Sequence, residues 1–132
     1  MSTNIIRALL AGAADLGVPA GQVLSGAPQP HPAVLPTLFV AELACVPEPG
    51  CSGRGAAALV TARVQVTAVS AGYDQTKALL AAVRRACNLQ SGSIAGLDVV
   101  SVVREQTGPD VTDDAGAFRQ SLEFGVTYYE AD

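Results

Sequence analysis

Residues 60–69 alternate apolar and polar side chains, and the other elements of the chain can be arranged around this segment. An alternation at period two is typical of a strand with one face in the core and one face in solvent. We therefore predict a strand here. Its core-facing residues should be Val60, Ala62, Val64, Val66 and Ala68.

The alternation stops at residues 70–72, and from Asp74 the apolar residues recur at the spacing of an amphipathic helix. Asp74 suits the first turn or the N-cap of this helix, and Arg84 and Arg85 suit its last turn, because the helix dipole favours that charge order. The connection is short, so the helix should fold back over the apolar face of the strand. The stripe predicted to be buried is Ala78, Leu79, Ala82, Val83 and Ala86, opposite Lys77, Ala81 and Arg84.

The rest of the chain predicts one further helix and several strands. The helix covers about residues 3–16, with Ser2 or Thr3 as its cap and Gly17 at its end. Strands are predicted at residues 22–25, 37–43, 97–105 and 118–129. In the strand at 97–105, apolar residues occur at both odd and even positions, so the pattern does not identify the buried face of this strand. In the last strand the predicted core-facing residues are Phe118, Gln120, Leu122, Phe124, Val126 and Tyr128.

The connections are rich in glycine, proline and small polar residues. They cover residues 18–36, a long loop at 45–57, a Gly/Ser segment at 88–96 and a turn at 108–116. Taken together, the pattern predicts a single α+β domain over residues 1–132. Its mainly antiparallel sheet has four to five strands, with two helices packed on it.

Composition narrows the classes of function. The net charge is −4, from 12 acidic and 8 basic residues, and no run of Lys or Arg occurs, so electrostatic binding of nucleic acid is disfavoured. The N-terminus lacks the pattern of a signal peptide, and no apolar stretch approaches the roughly 18 residues of a membrane span. We expect a soluble protein with no membrane partner.

The chemistry-bearing residues do not form a recognisable catalytic or ligand-binding motif. Three cysteines without CxxC spacing and a single histidine, His31, disfavour a metal site. Cys45 and Cys51 could bridge across their loop, but reduced thiols are the favoured interpretation for a protein made in the cytoplasm. Asp110, with Asp113 and Asp114, departs from calcium-loop spacing. No catalytic residue, metal or cofactor is therefore expected.

The polar face of the sheet is the most informative surface. It carries mixed charges suited to a subunit interface, although a merely solvated face explains the same pattern. Arg54, on a glycine-rich loop, could reach a neighbouring subunit or simply belong to an ordinary surface loop. The residues proposed for an interface are Arg54, Arg63, Gln65, Arg119, Glu123 and Tyr129.

The order of these patterns resembles a known family. Residues 63–66, the helix at 71–84, a Gly-Leu strand and residues 113–124 resemble the tail terminator or tail completion proteins of long-tailed bacteriophages and related gene transfer agents. The early Leu9-Leu10 helix and residues 35–40 occur in the same order, so the resemblance covers nearly the whole chain.

This resemblance implies a non-enzymatic structural protein of the virion, made in the host cytoplasm. Such proteins form a homo-hexameric ring at the neck-proximal end of the tail tube, stop tube polymerisation and contact the head-tail connector or neck protein. DNA would pass through the ring without specific binding, which an acidic chain suits. One alternative is another neck or minor tail component, such as a head-side stopper. Alternatives from another class are a small ligand-binding α+β domain or an uncharacterised enzyme.

Overall fold

A computed structural model describes residues 2–13, 16, 23–26, 36–47, 57–112 and 116–131. Two helices and seven strands are present in this part of the chain. The helices are α1 (Ser2–Ala11) and α2 (Tyr73–Cys87). The strands are β1 (Val23–Ser25), β2 (Thr37–Pro47), β3 (Ala57–Ser70), β4 (Gln90–Ile94), β5 (Leu97–Thr107), β6 (Val111–Thr112) and β7 (Phe118–Ala131).

All seven strands belong to one sheet. Its order is β1-β2-β3-β7-β5-β4, and β6 also pairs with β7. Only β1 is parallel to its neighbour β2, and every other pair is antiparallel. The α+β class and the mainly antiparallel sheet are thus confirmed, but the sheet is larger than the four to five strands predicted.

Both helices pack on one face of the sheet, which we call the inner face. The alternation of β3 places Val64 and Val66 in the core with no exposed surface, and Phe124 and Val126 of β7 lie beside them. From α1 and α2, residues such as Ile6 and Val83 complete the same cluster. The predicted core-facing residues of β3 are all confirmed as buried.

A small polar cluster fixes α2 against the sheet. The Ser70 hydroxyl lies 2.6 Å from the Thr76 hydroxyl and donates to the carbonyl of Gly72 at 2.8 Å. Thr76 also lies 3.3 Å from the carbonyl oxygen of Phe118, the first residue of β7. Gly72 supplies no side chain to cap the helix, so these hydroxyls, both buried, organise the turn instead.

The predicted stripe of α2 is only partly right. Leu79, Ala82 and Val83 are buried as expected, but Ala78 is exposed while Thr76, Leu80 and Cys87 are buried. The buried stripe is therefore rotated toward Leu80, because the helix contacts three strands and needs a broad apolar surface. Asp74 lies in the first turn, and Gly72 is the N-cap.

Helix α1 ends earlier than predicted, at Ala11 instead of Leu16. Glycine at position 12 disfavours continuation, and a tighter bond from the Ala13 amide to the Leu10 carbonyl follows, at 3.1 Å. Ser2 and Thr3, the two residues predicted as caps, both lie inside the helix, and the Ser2 hydroxyl donates to the Glu42 carboxylate of β2 at 2.6 Å.

Two segments predicted to be connections contain strands. β4 forms inside the Gly/Ser segment 88–96 and pairs with β5, and β6 forms inside the turn 108–116 and pairs with β7. β2 also runs on to Pro47, which takes three residues from the predicted loop 45–57. The Ser and Gly residues of β4 have weak strand propensity, so pairing with β5 decides their conformation.

The apolar residues of β5 do not follow one face of the strand, and the structure shows why. Its pairing with β7 shifts register between Val99 and Ser101 and again between Arg104 and Gln106. Each shift inserts one residue and reverses the faces beyond it. Val99 and Val102 are consequently both buried, although their spacing does not fit one face of a regular strand.

Four residues discussed above, His31, Cys51, Asp113 and Asp114, lie outside the described residues, as does Arg54. The predictions made for these positions are therefore not tested.

Candidate assembly surface

The face of the sheet opposite the helices, which we call the outer face, is polar along its two central strands. Thr61 of β3 lies 3.3 Å from Thr127 of β7, hydroxyl to hydroxyl, and Thr67 lies 2.8 Å from Ser121 in the same way. Both pairs are direct neighbours in the β3–β7 ladder. Cross-strand hydroxyl pairs of this kind help to hold the two strands in register.

An ion cluster occupies the middle of the outer face. The guanidinium of Arg63 forms an ion pair with the Glu123 carboxylate of the neighbouring strand. On its other side, Arg63 Nε lies 3.8 Å from Glu105 Oε2. One cation therefore stands between two carboxylates, and the cluster carries a net charge of −1.

Gly125 makes this arrangement possible. It pairs with Arg63 in the ladder, and a Cβ atom added at position 125 would overlap the Glu105 carboxylate. Glycine weakens a strand interior, so its presence in the middle of a long strand suits a close approach of this kind. Glu105 itself is the extra residue of a bulge in β5, which directs its side chain across β7.

The cluster contributes little to folding. About half of the Arg63 and Glu105 side-chain surface is exposed, 49% and 46%, whereas Glu123 is more covered at 16%. Ion pairs at such exposed positions contribute up to about 1 kcal/mol. The cluster therefore places three charged groups side by side on the outer face while adding little to stability.

The structure brings together only some of the residues predicted for an interface. Arg63 and Glu123 are in contact, and Gln65 pairs with Glu123 in the ladder. Arg119 and Tyr129 lie on the same outer face but toward opposite ends of β7, roughly 33 Å apart along the strand. A single small contact cannot include both, so the surface is an extended one.

Sequence reasoning missed Glu105. Its strand has apolar residues on both faces, so the sequence pattern does not orient its side chain, and the bulge that does so depends on pairing with β7. The available signal was Gly125, an isolated glycine in a strand pattern, which indicates a bulge or a close approach nearby.

A recess of about 320 Å³ opens on the same face, beside the ion cluster. Several of its lining residues have polar side chains. They include Gln65, Thr67, Gln106, Arg119 and Glu123. A recess of this volume lies near the lower limit of the roughly 300–1,000 Å³ of ligand pockets, and it is large enough to take a side chain from another protein.

A second polar network attaches the segment after β5 to α2. Lys77 Nζ donates to Asp110 Oδ1 at 2.5 Å and to Gln120 Oε1 at 2.6 Å, and the Tyr73 hydroxyl donates to Asp110 Oδ2 at 3.2 Å. Gln120 in turn donates to the Gly108 carbonyl at 2.7 Å. The bond from Lys77 lowers the pKa of Asp110 and raises that of Lys77. This network, which we call the Lys77 clamp, fixes one border of the recess.

The described thiols and hydroxyls show no catalytic arrangement. Cys45 and Cys87 are free, and burial raises the pKa of the Cys87 thiol to about 12. Burial also raises the pKa of Tyr128, whose hydroxyl donates to Glu130 at 3.1 Å. No group of three or more His, Cys, Asp or Glu residues within the described ranges could hold a metal ion. Neither α1 nor α2 has the length and apolar content needed to cross a bilayer.

Comparisons with known proteins find one family and a similar solved structure. No curated protein sequence matches it. In structure it is similar to a chain from the virion of a native gene transfer agent particle, with a TM-score of 0.72 and 17% identity. That match covers 97% of this chain and 94% of the other, and at this identity it shows a shared fold. The model of the family described as tail completion protein gp17 matches residues 4–129, and the chain therefore belongs to this family of phage tail completion proteins.

Proposed function

We propose that this structural tail protein forms a hexameric ring on the neck-proximal end of the tail tube. The ring stops tube polymerisation and presents a surface to the head-tail connector. The observation that carries the proposal is membership of the tail completion family over residues 4–129, on a fold also found in a virion chain.

The outer face supports a role in subunit contact. Both helices pack on the inner face, and Arg63 is exposed on the outer face. The end of the outer face at Phe39, Thr67 and Val69 is buried, and Phe39 and Val69 belong to a second small cluster there. The fixed charges of the outer face at Arg63, Glu105 and Glu123 and the adjacent recess offer a patterned surface for recognition. Charges arranged in this way select the correct partner and register more than they add affinity. The proposed interface residues remain Arg54, Arg63, Gln65, Arg119, Glu123 and Tyr129.

A closed ring repeats one head-to-tail interface, and each contact should bury more than about 1,000 Å² of total surface to be specific. The acidic balance of the chain also supports passage of DNA without retention, because few cations are available to hold phosphates. No enzymatic step is needed for any part of this role.

The test is electron microscopy of tails assembled with the wild-type chain and with Arg63→Ala. Arg84→Ala is the matched control, since Arg84 is an exposed arginine on α2, away from the outer face. We expect six-fold rings and normal tail length for wild type and control, and overlong or uncapped tails for Arg63→Ala. A three-fold or twelve-fold layer, or a ring on the head side only, would refute the tail terminator role and favour a stopper.

A further inference from the structure

Two strand segments on opposite sides of the sheet have an open edge. β1 pairs with β2 only at residues 38–40, so β2 is unpaired on that side from Ala41 to Pro47 within the described residues. β4 reaches only as far as Val102 of β5, and in the described part of the chain no strand lies beside Val103–Thr107. Open edges of this kind expose backbone donors and acceptors that can pair with another strand.

The two open edges lie at the same level of the sheet. Pairing across the sheet connects Glu42 to Arg104 through one row of neighbouring residues, and Ala44 to Val103 through the next row. The rows are Glu42–Val64–Phe124–Arg104 and Ala44–Arg63–Gly125–Val103.

The strand directions are also compatible with pairing. Each of the three ladders from β2 to β5 is antiparallel, so β5 runs opposite to β2. A second copy in the same orientation, displaced sideways, would therefore place its β2 antiparallel to β5. This is the geometry that continues the sheet from one copy to the next.

The backbone groups point in the required directions. The Val40 carbonyl faces away from β3, since it accepts from the Gly26 amide at 2.8 Å, and alternation directs the backbone groups of Glu42 the same way. The Arg104 amide faces the open side of β5, where it donates to the Asn88 side chain at 2.9 Å. A carbonyl from an incoming strand can replace this side-chain acceptor.

Charge and exposure match across the two edges. Glu42 and Arg104 are exposed, lie on the same face and carry opposite charges, and within the described residues the Arg104 guanidinium forms no ion pair. Glu42 accepts from Ser2 through Oε1, which leaves its second oxygen available. Leu43 and Val103, exposed by 46% and 42%, are apolar residues at these edges that a neighbouring strand would cover.

We propose that β2 of one copy adds to β5 of the next copy as an antiparallel strand, with Glu42 opposite Arg104 of the neighbour. The inference rests on the proposed ring and adds, at the sheet edges, a contact between neighbouring copies that is separate from the outer-face residues proposed above. The edges differ, so the contact is head-to-tail and repeats around a ring instead of closing as a dimer. β1 and β4 flank the open segments and restrict the ladder to a few residues, which protects the free chain from continuous strand addition.

Disulfide trapping tests the pairing directly. In a Cys45→Ser, Cys51→Ser background, Ala44→Cys and Val103→Cys are combined in one chain and oxidised on purified tail tubes. Cysteines on adjacent strands bridge readily when their Cα atoms are about 4.4–6.8 Å apart. We expect a ladder of covalent species that ends at the hexamer. Each single-cysteine variant should give none, and Ser91→Cys on the edge of β4, in place of Val103→Cys, is the matched control.

Charge exchange gives a second readout. Glu42→Lys and Arg104→Glu should each lower the yield of capped tails about tenfold or more, because each places like charges in contact. The double variant should restore the yield. Melting curves identify any variant that fails to fold, and the disulfide result stands independently of these substitutions.

The outcomes separate the two proposals. Hexameric rings that do not cross-link, or that tolerate both charge changes, would overturn the strand pairing and leave the tail terminator role intact. Absence of any ring on the tubes would overturn both. Cross-linking by either single-cysteine variant would indicate a two-fold contact and overturn the head-to-tail arrangement.

Discussion

Val64 offers the sharpest test of how the strands face the core. Its side chain has no exposed surface, and its neighbours in the sheet are Glu42 on one side and Phe124 on the other. Replacing it with Asp would bury a carboxylate beside an existing carboxylate. Arg104, the cation in the same row of paired residues, lies two strands away from Val64, at about 10 Å, which is too far to neutralise the new charge.

The magnitude follows from two contributions. Removing a fully buried valine loses about 1.5–3 kcal/mol of hydrophobic burial. An unpaired buried charge adds several kcal/mol more, unless the group takes up a proton. The sum approaches the roughly 5–15 kcal/mol that stabilises an ordinary domain, so Val64→Asp should be largely unfolded at 37 °C. Phe124→Asp should have a comparable effect, since Phe124 is also fully buried.

Graded substitutions make the result quantitative. Val64→Ala should cost about 2–3 kcal/mol and lower the melting temperature by roughly 6–12 °C for a chain of this length. The control, Thr61→Asp, places the same charge on the same strand but on the outer face. It loses the hydroxyl pair with Thr127 and should cost only about 0.5–1.5 kcal/mol. Thermal melting by circular dichroism measures all three. If Val64→Asp melts within a few degrees of Thr61→Asp, the assignment of the inner face is wrong.

Three further predictions concern local features. Ala95 has φ 54° in the two-residue turn between β4 and β5, so Ala95→Asn should raise stability by about 0.5–1 kcal/mol in thermal melting. The Lys77 clamp holds the pKa of Asp110 below its usual 3.8, so its stabilisation is present above that pH and is lost as the pH falls through the lowered pKa. In an NMR titration, Lys77→Met should raise the Asp110 midpoint. Cys87, with a pKa of about 12, should resist thiol reagents at pH 8 until the chain unfolds, in a variant whose other cysteines are serine.

A specific result would contradict each of these three predictions. A loss of stability in Ala95→Asn would mean that the turn is not of the type with two left-handed residues. An unchanged Asp110 midpoint would show that Lys77 does not determine its ionisation. Rapid labelling of native Cys87 would show that α2 is not packed as described.

The sequence by itself determined the elements whose pattern is both regular and local. β3 and β7 pair without a register shift along their whole length, so the period-two alternation stays in phase and identifies the inner face correctly. The change of period at Asp74 likewise identified α2, because an amphipathic stripe follows from helix geometry alone. The turn signals between these elements were enough to give an α+β class with an antiparallel sheet.

Only the tertiary structure decided the features that depend on a partner strand. β4 has the composition of a linker and becomes a strand because β5 supplies its hydrogen bonds. The bulges of β5 fix which of its residues are buried and direct Glu105 toward Arg63, and no local preference predicts either result. The open edges at Glu42 and Arg104 become visible only when the ends of β1 and β4 are known. Side-chain periodicity is a property of one strand, whereas register, bulges and edges are properties of pairs, and pairs form between residues far apart in the chain.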